Sequence, residues 1–173
     1  MNKRDLQVLL MAVAFTLLSL PPFAFASDGK YEQETLRGIK TLHAKVHGLE
    51  PGLEQYGLTS DKLEKDLMTK LGMAGIKVVS KKEGQNVPGA PYLTLMIGAL
   101  RAFTTQDTEF YFISIVIKLR QNVYLERKPK IRVPGITTWS NTRFGINFAH
   151  NIRSEVNNAI DKFINAYVAA NSK

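Results

Sequence analysis

The residues of this chain best suited to chemistry are seven cations in one short segment, residues 118–143. One carboxylate, Glu126, accompanies them, so the segment carries a net charge of +6 in a chain whose formal charge is +8. Residues 27–117 balance eleven Lys or Arg against eleven Asp or Glu. Because guanidinium and ammonium groups bind phosphates and carboxylates, the clustered excess predicts an anionic partner. The seven cations are Lys118, Arg120, Arg127, Lys128, Lys130, Arg132 and Arg143.

Aromatic residues accompany these cations. Alternation along one strand places Phe112 and Tyr124 on the face of Lys118, and Trp139 lies on the next strand. Rings beside cations suit an amphiphilic anion, with the cations on phosphate and the rings on acyl chains or sugars. The alternative is a solvated face whose aromatics are covered by loops or by the N-terminal leader. The predicted partner- or ligand-binding residues are Lys118, Arg120, Tyr124, Arg127, Lys128, Lys130, Arg132 and Trp139.

Residues for catalysis or metal binding do not form a recognisable pattern. His43 and His47 are four apart on a predicted strand, about 13 Å, which is too far to share one ion. Ser154 and His150 are four apart on a helix without an orienting acid, and no G-x-S-x-G sequence occurs. With no Cys in the chain, a structural zinc site is not expected either. The sequence therefore predicts no catalytic residue, no metal and no cofactor.

The elements that must position the basic segment follow from periodicity. Residues 41–46 alternate as a half-buried strand, with Leu36 as an alternative starting point. A helix follows, with Thr59 as N-cap and Gly75 as the left-handed C-cap residue. The remaining elements are short strands at residues 76–79 and 92–100, the long strand Phe110–Leu125, a basic reversal over residues 127–134, a strand at residues 136–141, and a helix over residues 148–170.

This order, β-α-β-β-β-β-α, predicts an α+β fold. We expect a two-layer sandwich, with a mostly antiparallel sheet of about five strands and two amphipathic helices on one of its faces. Strands two to five are expected to form a meander. Along the long strand, one face is apolar and broken only by Gln121, whereas the other is apolar at its start and basic further on.

The N-terminus predicts export. A basic start at Lys3 and Arg4, an apolar run over residues 8–20 and the sequence Ala24-Phe25-Ala26 are typical of a Sec signal peptide. The apolar run is shorter than the roughly 20 residues that span a bilayer. Because a lipoprotein needs a Cys at its cleavage site, lipidation is not expected. The predicted organisation is a signal peptide at residues 1–26, a polar leader at 27–40 and one α+β domain at 41–173, located in the periplasm.

In the order of its elements, the chain resembles small envelope domains. Such domains include the amino-terminal domain of the translocation protein TolB and the lipopolysaccharide-assembly lipoprotein of the outer membrane. The resemblance covers most of the exported chain and implies a non-enzymatic domain that binds envelope proteins or lipopolysaccharide. The chain departs from both families, since it lacks the lipid-bearing Cys and has no room for the TolB propeller. The segments that carry the resemblance are LTSDKLEKDLMTKLGMAGIKVV, YLTLMIGAL, FYFISIVIKLRQNVYL, TTW and IRSEVNNAIDKFINAYVAAN.

The sequence thus favours a non-enzymatic periplasmic accessory or adaptor protein that binds an anionic envelope partner through a basic strand-and-turn surface. The expected partners are an envelope protein, or anionic lipid or lipopolysaccharide, and not nucleic acid, while peripheral membrane contact stays open. One alternative is a carrier of a small amphiphilic ligand in a cavity between sheet and helices. Another is a hydrolase of envelope polymers, which requires an acid pair or triad in a cleft. The oligomeric state stays open.

Overall fold

The fold was analysed in a computed structural model that describes residues 25–27, 29–49, 52–105 and 108–172. Residues 1–24 of the predicted signal peptide lie outside these described residues. The strands are β1 (Phe25–Ser27), β2 (Thr41–His47), β3 (Lys77–Val79), β4 (Tyr92–Thr105), β5 (Thr108–Leu125) and β6 (Lys128–Phe148). The helices are α1 (Lys30–Glu34), α2 (Ser60–Met73), α3 (Lys81–Gly84) and α4 (Ile152–Asn171), with short 3₁₀ turns at Leu53–Tyr56 and Ala149–Asn151.

The strands form one mostly antiparallel sheet in the order β1-β6-β5-β4-β2-β3. The predicted α+β class and the order β-α-β-β-β-β-α are confirmed, with β1, α1 and α3 as additional short elements. The expected meander is correct for β4, β5 and β6 but wrong for β3, which pairs in parallel with β2 at the edge of the sheet. The reason is α2, because a strand–helix–strand crossover brings its two strands together in parallel.

Helix α2 begins and ends where its capping residues predict. The Thr59 hydroxyl accepts a hydrogen bond from the Lys62 amide, and Gly75 adopts a φ of 82° just beyond the helix. Ile76, the apolar residue that follows, is buried, and its amide donates to the Leu71 carbonyl. The left-handed glycine thus turns the chain from α2 directly into the core.

Helices α2 and α4 cover one face of the sheet, which we call the inner face. Rows of β-strand side chains on that face, such as Leu93, Ile115 and Ile117, are fully buried. From α4, Phe163 packs edge-on against Trp139 of β6, with ring centroids 5.3 Å apart. Among the helices that the structure describes, none is long and apolar enough to span a membrane.

The segment before β2 is also packed against the domain, although the sequence places it in a polar leader. Leu36 is fully buried and Ile39 is 8 % exposed, and both belong to the core. The Tyr167 hydroxyl of α4 donates to the Ile39 carbonyl at 2.8 Å. Gln121 donates to the Thr35 carbonyl at 3.0 Å, which explains why a polar residue interrupts the apolar row of β5.

Candidate anion-binding surface

Strands β5 and β6 extend beyond the rest of the sheet as a two-stranded arm. The pairing of β4 with β5 ends at the Tyr92–Arg120 pair, whereas β5 and β6 remain paired beyond it, for example between Tyr124 and Arg132. We call residues 121–136 the arm. Within the described residues, no further strand pairs with either edge of the arm. The predicted basic reversal, residues 127–134, therefore projects from the body of the domain.

The reversal at the end of the arm is shorter than the sequence predicts. Only residues 126–127 form the turn, and β6 starts at Lys128 and runs through both prolines. The predicted loop over residues 127–134 is therefore wrong. A proline has no amide hydrogen to donate to a neighbouring strand, so it is tolerated at an edge or a bulge. In the arm, β6 is an edge strand, and the β5–β6 register shifts beside both Pro129 and Pro134. At the second shift, Gly135 has a φ of 64° and its amide donates to Asn122 Oδ1.

The cations of β5 and of the arm are grouped along one stretch of the β5–β6 pair. Lys118 and Arg120 point to the outer face of the sheet, opposite α2 and α4, and the cations of the arm are exposed. Tyr124 is 64 % exposed and pairs with Arg132 across the arm. We call this set the basic surface; it comprises Lys118, Arg120, Tyr124, Arg127, Lys128, Lys130 and Arg132.

No cation of the basic surface forms an ion pair with a carboxylate of the described residues. Other basic side chains do: Arg153 contacts Asp66 at 2.9 Å and Lys45 contacts Glu64 at 2.7 Å. Arg143, the seventh cation of the predicted segment, is 3.0 Å from Glu155 of α4. Among the described residues, the cations of the basic surface thus have no ion pair, whereas Arg143 is paired with a carboxylate of α4.

Trp139 was predicted to belong to the binding surface, and this prediction is wrong. Trp139 is fully buried and pairs with Leu119, so it points to the inner face, away from Lys118. The register shifts by one residue between the Leu119–Trp139 pair and the Arg120–Thr137 pair. Knowing that two strands are neighbours does not show which face of the sheet a residue occupies, because a one-residue shift in strand register moves its side chain to the opposite face.

Two exposed side chains of the outer face escaped the sequence analysis. Leu100 is 68 % exposed and Phe144 is 47 % exposed, and they lie near Phe112, which is 51 % exposed. Leu100 is the cross-strand partner of Phe112, and Phe144 pairs with Ser114, two residues along from Phe112. We call Leu100, Phe112 and Phe144 the apolar patch. Alternation along β4 was the signal that could have identified Leu100 as outward-facing.

A carboxylate network lies at the other end of the sheet. Glu109 accepts hydrogen bonds from the hydroxyls of Tyr56 at 2.5 Å and Tyr111 at 2.9 Å, and Arg101 donates to it at 3.2 Å. The hydrogen bond from Tyr56, followed by that from Tyr111, lowers the pKa of Glu109. The hydrogen bond to Glu109 in turn raises the pKa of Tyr56 to about 12. Since the carboxylate already has three partners within the protein, its role is structural.

We expect this network to make the free energy of unfolding depend on pH at both extremes. The folded-state pKa of Glu109 is depressed, so its contribution is complete above the ordinary value of 4.5 and is lost as the pH falls through the lower folded value. The folded-state pKa of Tyr56 is raised, so its contribution is complete below 10.0 and is lost as the pH rises towards 12. Urea unfolding of Glu109→Gln and Tyr56→Phe across this range should show flatter profiles than the parent protein. A parent-like profile in both variants would contradict the assignment.

The two histidines considered for metal binding have other contacts. His43 Nδ1 lies 3.0 Å from the Val79 carbonyl oxygen, and the ring stacks on Tyr92. His47 Nε2 lies 3.0 Å from the Tyr92 hydroxyl. Within the described residues, no group of three or more His, Cys, Asp or Glu side chains could hold a metal ion.

A cleft of about 350 Å³ opens at the base of the arm, lined among others by Arg37, Lys40, Pro91 and Gln121. This volume is at the lower end of the range for small-ligand sites. The carrier hypothesis requires a cavity elsewhere, between the sheet and the helices. Buried side chains from both layers, such as Trp139 and Phe163, occupy that space in the described residues.

Comparison with known proteins gives only distant structural similarity. No protein-family model and no curated protein matches the chain. A single-substitution variant of the PelC dodecamer from Paraburkholderia phytofirmans is 12 % identical with a TM-score of 0.46, over 76 % of this chain and 89 % of that one. A minor lipoprotein from Acinetobacter baumannii is 14 % identical with a TM-score of 0.31, over 76 % and 93 % of the two chains. These similarities are too distant to indicate a shared function, and they do not confirm the resemblance to the TolB domain or the assembly lipoprotein.

Proposed function

We propose that this protein is a non-enzymatic accessory protein of the cell envelope that binds an anionic partner through the basic surface. The observation that carries the proposal is the cluster of exposed cations on the arm. Arg127, Lys128, Lys130 and Arg132 are all exposed, and none is ion-paired with a described carboxylate. The predicted signal peptide supports a location in the periplasm.

The geometry of the arm suits binding to an extended charged partner. A two-stranded projection exposes its side chains on both faces, so a partner can approach without displacing part of the domain. Like charges that lie close together repel one another, and an anion bound among them relieves this repulsion. Exposed Lys and Arg side chains are already solvated, so we expect an interaction that weakens as salt screens it.

The perturbed ionisable groups of the described residues support a binding role over a catalytic one. The groups with shifted pKa values have evident structural partners: Glu83 caps α3 through Ser80, and Arg153 pairs with Asp66. Perturbed groups that converge in a cleft would be the sign of a catalytic site. Here Tyr56, Glu109 and Tyr111 share one hydrogen-bonded network, the other shifted groups lie in a helix cap and in ion pairs, and none of them lines the cleft at the base of the arm.

Charge reversal tests the proposal. The variant Arg127→Glu, Lys128→Glu, Lys130→Glu and Arg132→Glu should lose its salt-sensitive binding to envelope components, because the surface then repels anions. The measurement is capture of these components on the immobilised exported protein at increasing salt concentrations.

A matched control reverses four exposed lysines elsewhere: Lys65, Lys81, Lys82 and Lys162. It changes the net charge by the same amount and should retain binding. If both variants retained binding, or both lost it equally, the arm would not be the binding site.

A further inference from the structure

We propose that the anionic partner is the surface of a lipid bilayer, contacted by the outer face of the sheet together with the arm; this inference rests on the proposed function. The first argument is the absence of acidic residues from this face. Every outward-facing position of β4 from Tyr92 to Leu100, of β5 from Phe112 to Arg120, and of β6 from Ser140 to Phe144 is uncharged or cationic. An anionic surface can therefore approach these three strand segments without meeting a carboxylate, and the acidic residue of the arm is Glu126, in its turn.

The second argument is the apolar patch, which is exposed on the same face. The Cα atoms of directly paired residues such as Leu100 and Phe112 lie about 5 Å apart. Phe144 is the diagonal neighbour of Phe112, a spacing that aromatic side chains can bridge. Large apolar side chains grouped on a surface mark sites of interaction with proteins or membranes.

The arrangement of the two features favours a membrane. Phe112 and Arg120 are eight residues apart on β5, about 26 Å, and the arm extends further in the same direction. The face thus has an apolar end, a neutral middle and a cationic end. A soluble polyanion would satisfy only the cations, whereas a bilayer also accepts the apolar side chains beneath its charged headgroups.

A second copy of this chain does not fit the same face. In a two-fold contact centred on this face, the cationic end of one copy would lie against the apolar end of the other. The cations would then lose water without gaining a carboxylate, which opposes such a dimer. An acidic protein is the alternative that the experiment separates from a membrane.

Vesicle flotation tests the inference on the exported protein as the cell processes it. Its N-terminus is first determined from the intact mass. We expect flotation with vesicles of phosphatidylcholine and phosphatidylglycerol in equal amounts, and none with phosphatidylcholine alone. Reversal of the four arm cations should lower the partition coefficient by about 100-fold or more, since each Lys or Arg near an anionic surface contributes several-fold. Phe112→Ser with Phe144→Ser should lower it by about tenfold, because less apolar surface is buried.

The matched control for the double substitution is Met68→Ser with Val168→Ser, which removes two comparably exposed apolar side chains from the helices. It should bind vesicles like the parent protein. Leu100→Ser provides a second variant of the patch should the double variant fail to fold, as judged by circular dichroism.

The outcomes separate the two proposals. Salt-sensitive binding to polyglutamate or to an acidic protein, without vesicle binding, would overturn the membrane inference and leave the proposed function standing. Vesicle binding that the serine variants do not weaken would overturn the role of the apolar patch. Binding to neutral vesicles as strong as to anionic ones would also count against the inference, because it would show that apolar contacts, and not charge, hold the protein on the membrane. Binding to neither vesicles nor polyanions would overturn both proposals.

Discussion

Replacing Trp139 with Ala is expected to lower the free energy of unfolding by about 3–5 kcal/mol. The side chain is fully buried between the sheet and α4, where it packs against Phe163. Its truncation removes apolar contacts and leaves a cavity that neighbouring strands and helices cannot fill without moving. Because Trp139 is the only tryptophan, unfolding should be followed by circular dichroism in urea.

Tyr124→Ala is the matched control, since it removes a large aromatic ring that is 64 % exposed on the arm. Its effect on the free energy of unfolding should stay within about 0.5 kcal/mol, as for most surface substitutions. Trp139→Phe keeps an aromatic ring and should recover part of the loss. If Trp139→Ala impaired anion binding while leaving stability intact, the assignment of Trp139 to the core would be contradicted.

Leu36→Ala is expected to lower the free energy of unfolding by about 2–5 kcal/mol, although Leu36 lies in the predicted leader. Leu36 is fully buried, and its carbonyl accepts a hydrogen bond from Asn171 near the end of α4. The segment thus closes one end of the core. Urea unfolding of the exported protein measures the loss.

Tyr31→Ala is the control for this segment, because Tyr31 is 87 % exposed on α1. It should leave the free energy of unfolding nearly unchanged. Two variants that were equally stable would indicate that residues 29–40 are a dispensable leader, as the sequence suggests.

The long regular elements were predictable because each carries its own local signal. Thr59 and Gly75 mark the ends of α2 through side-chain and backbone geometry that depends only on neighbouring residues. The alternation of β5 likewise identifies the inner row to which Ile115 and Ile117 belong. Such alternation predicts which face of a strand is buried, even when the neighbouring strand is not known.

The burial of the leader segment was not predicted, because only two of its residues 29–40 are buried. Leu36 and Ile39 stand among polar neighbours, and Gly38 and Lys40 interrupt the alternation between Leu36 and Leu42. Their burial depends on α4 and on Gln121, which are far away in the sequence. Contacts of such long range leave no signature in a local pattern.

By itself, the sequence determined the fold class, the order of the elements and the concentration of positive charge in residues 118–143, because all three depend on residue type and spacing. Only the tertiary structure decided which of those residues share a surface. Strand register and its bulges set the side of each β6 residue, so Trp139 is buried while Arg132 is exposed. The positions of the carboxylates on α4 and elsewhere are fixed only when the helices pack on the sheet. This packing places Glu155 beside Arg143, whereas the arm cations have no ion pairs among the described residues.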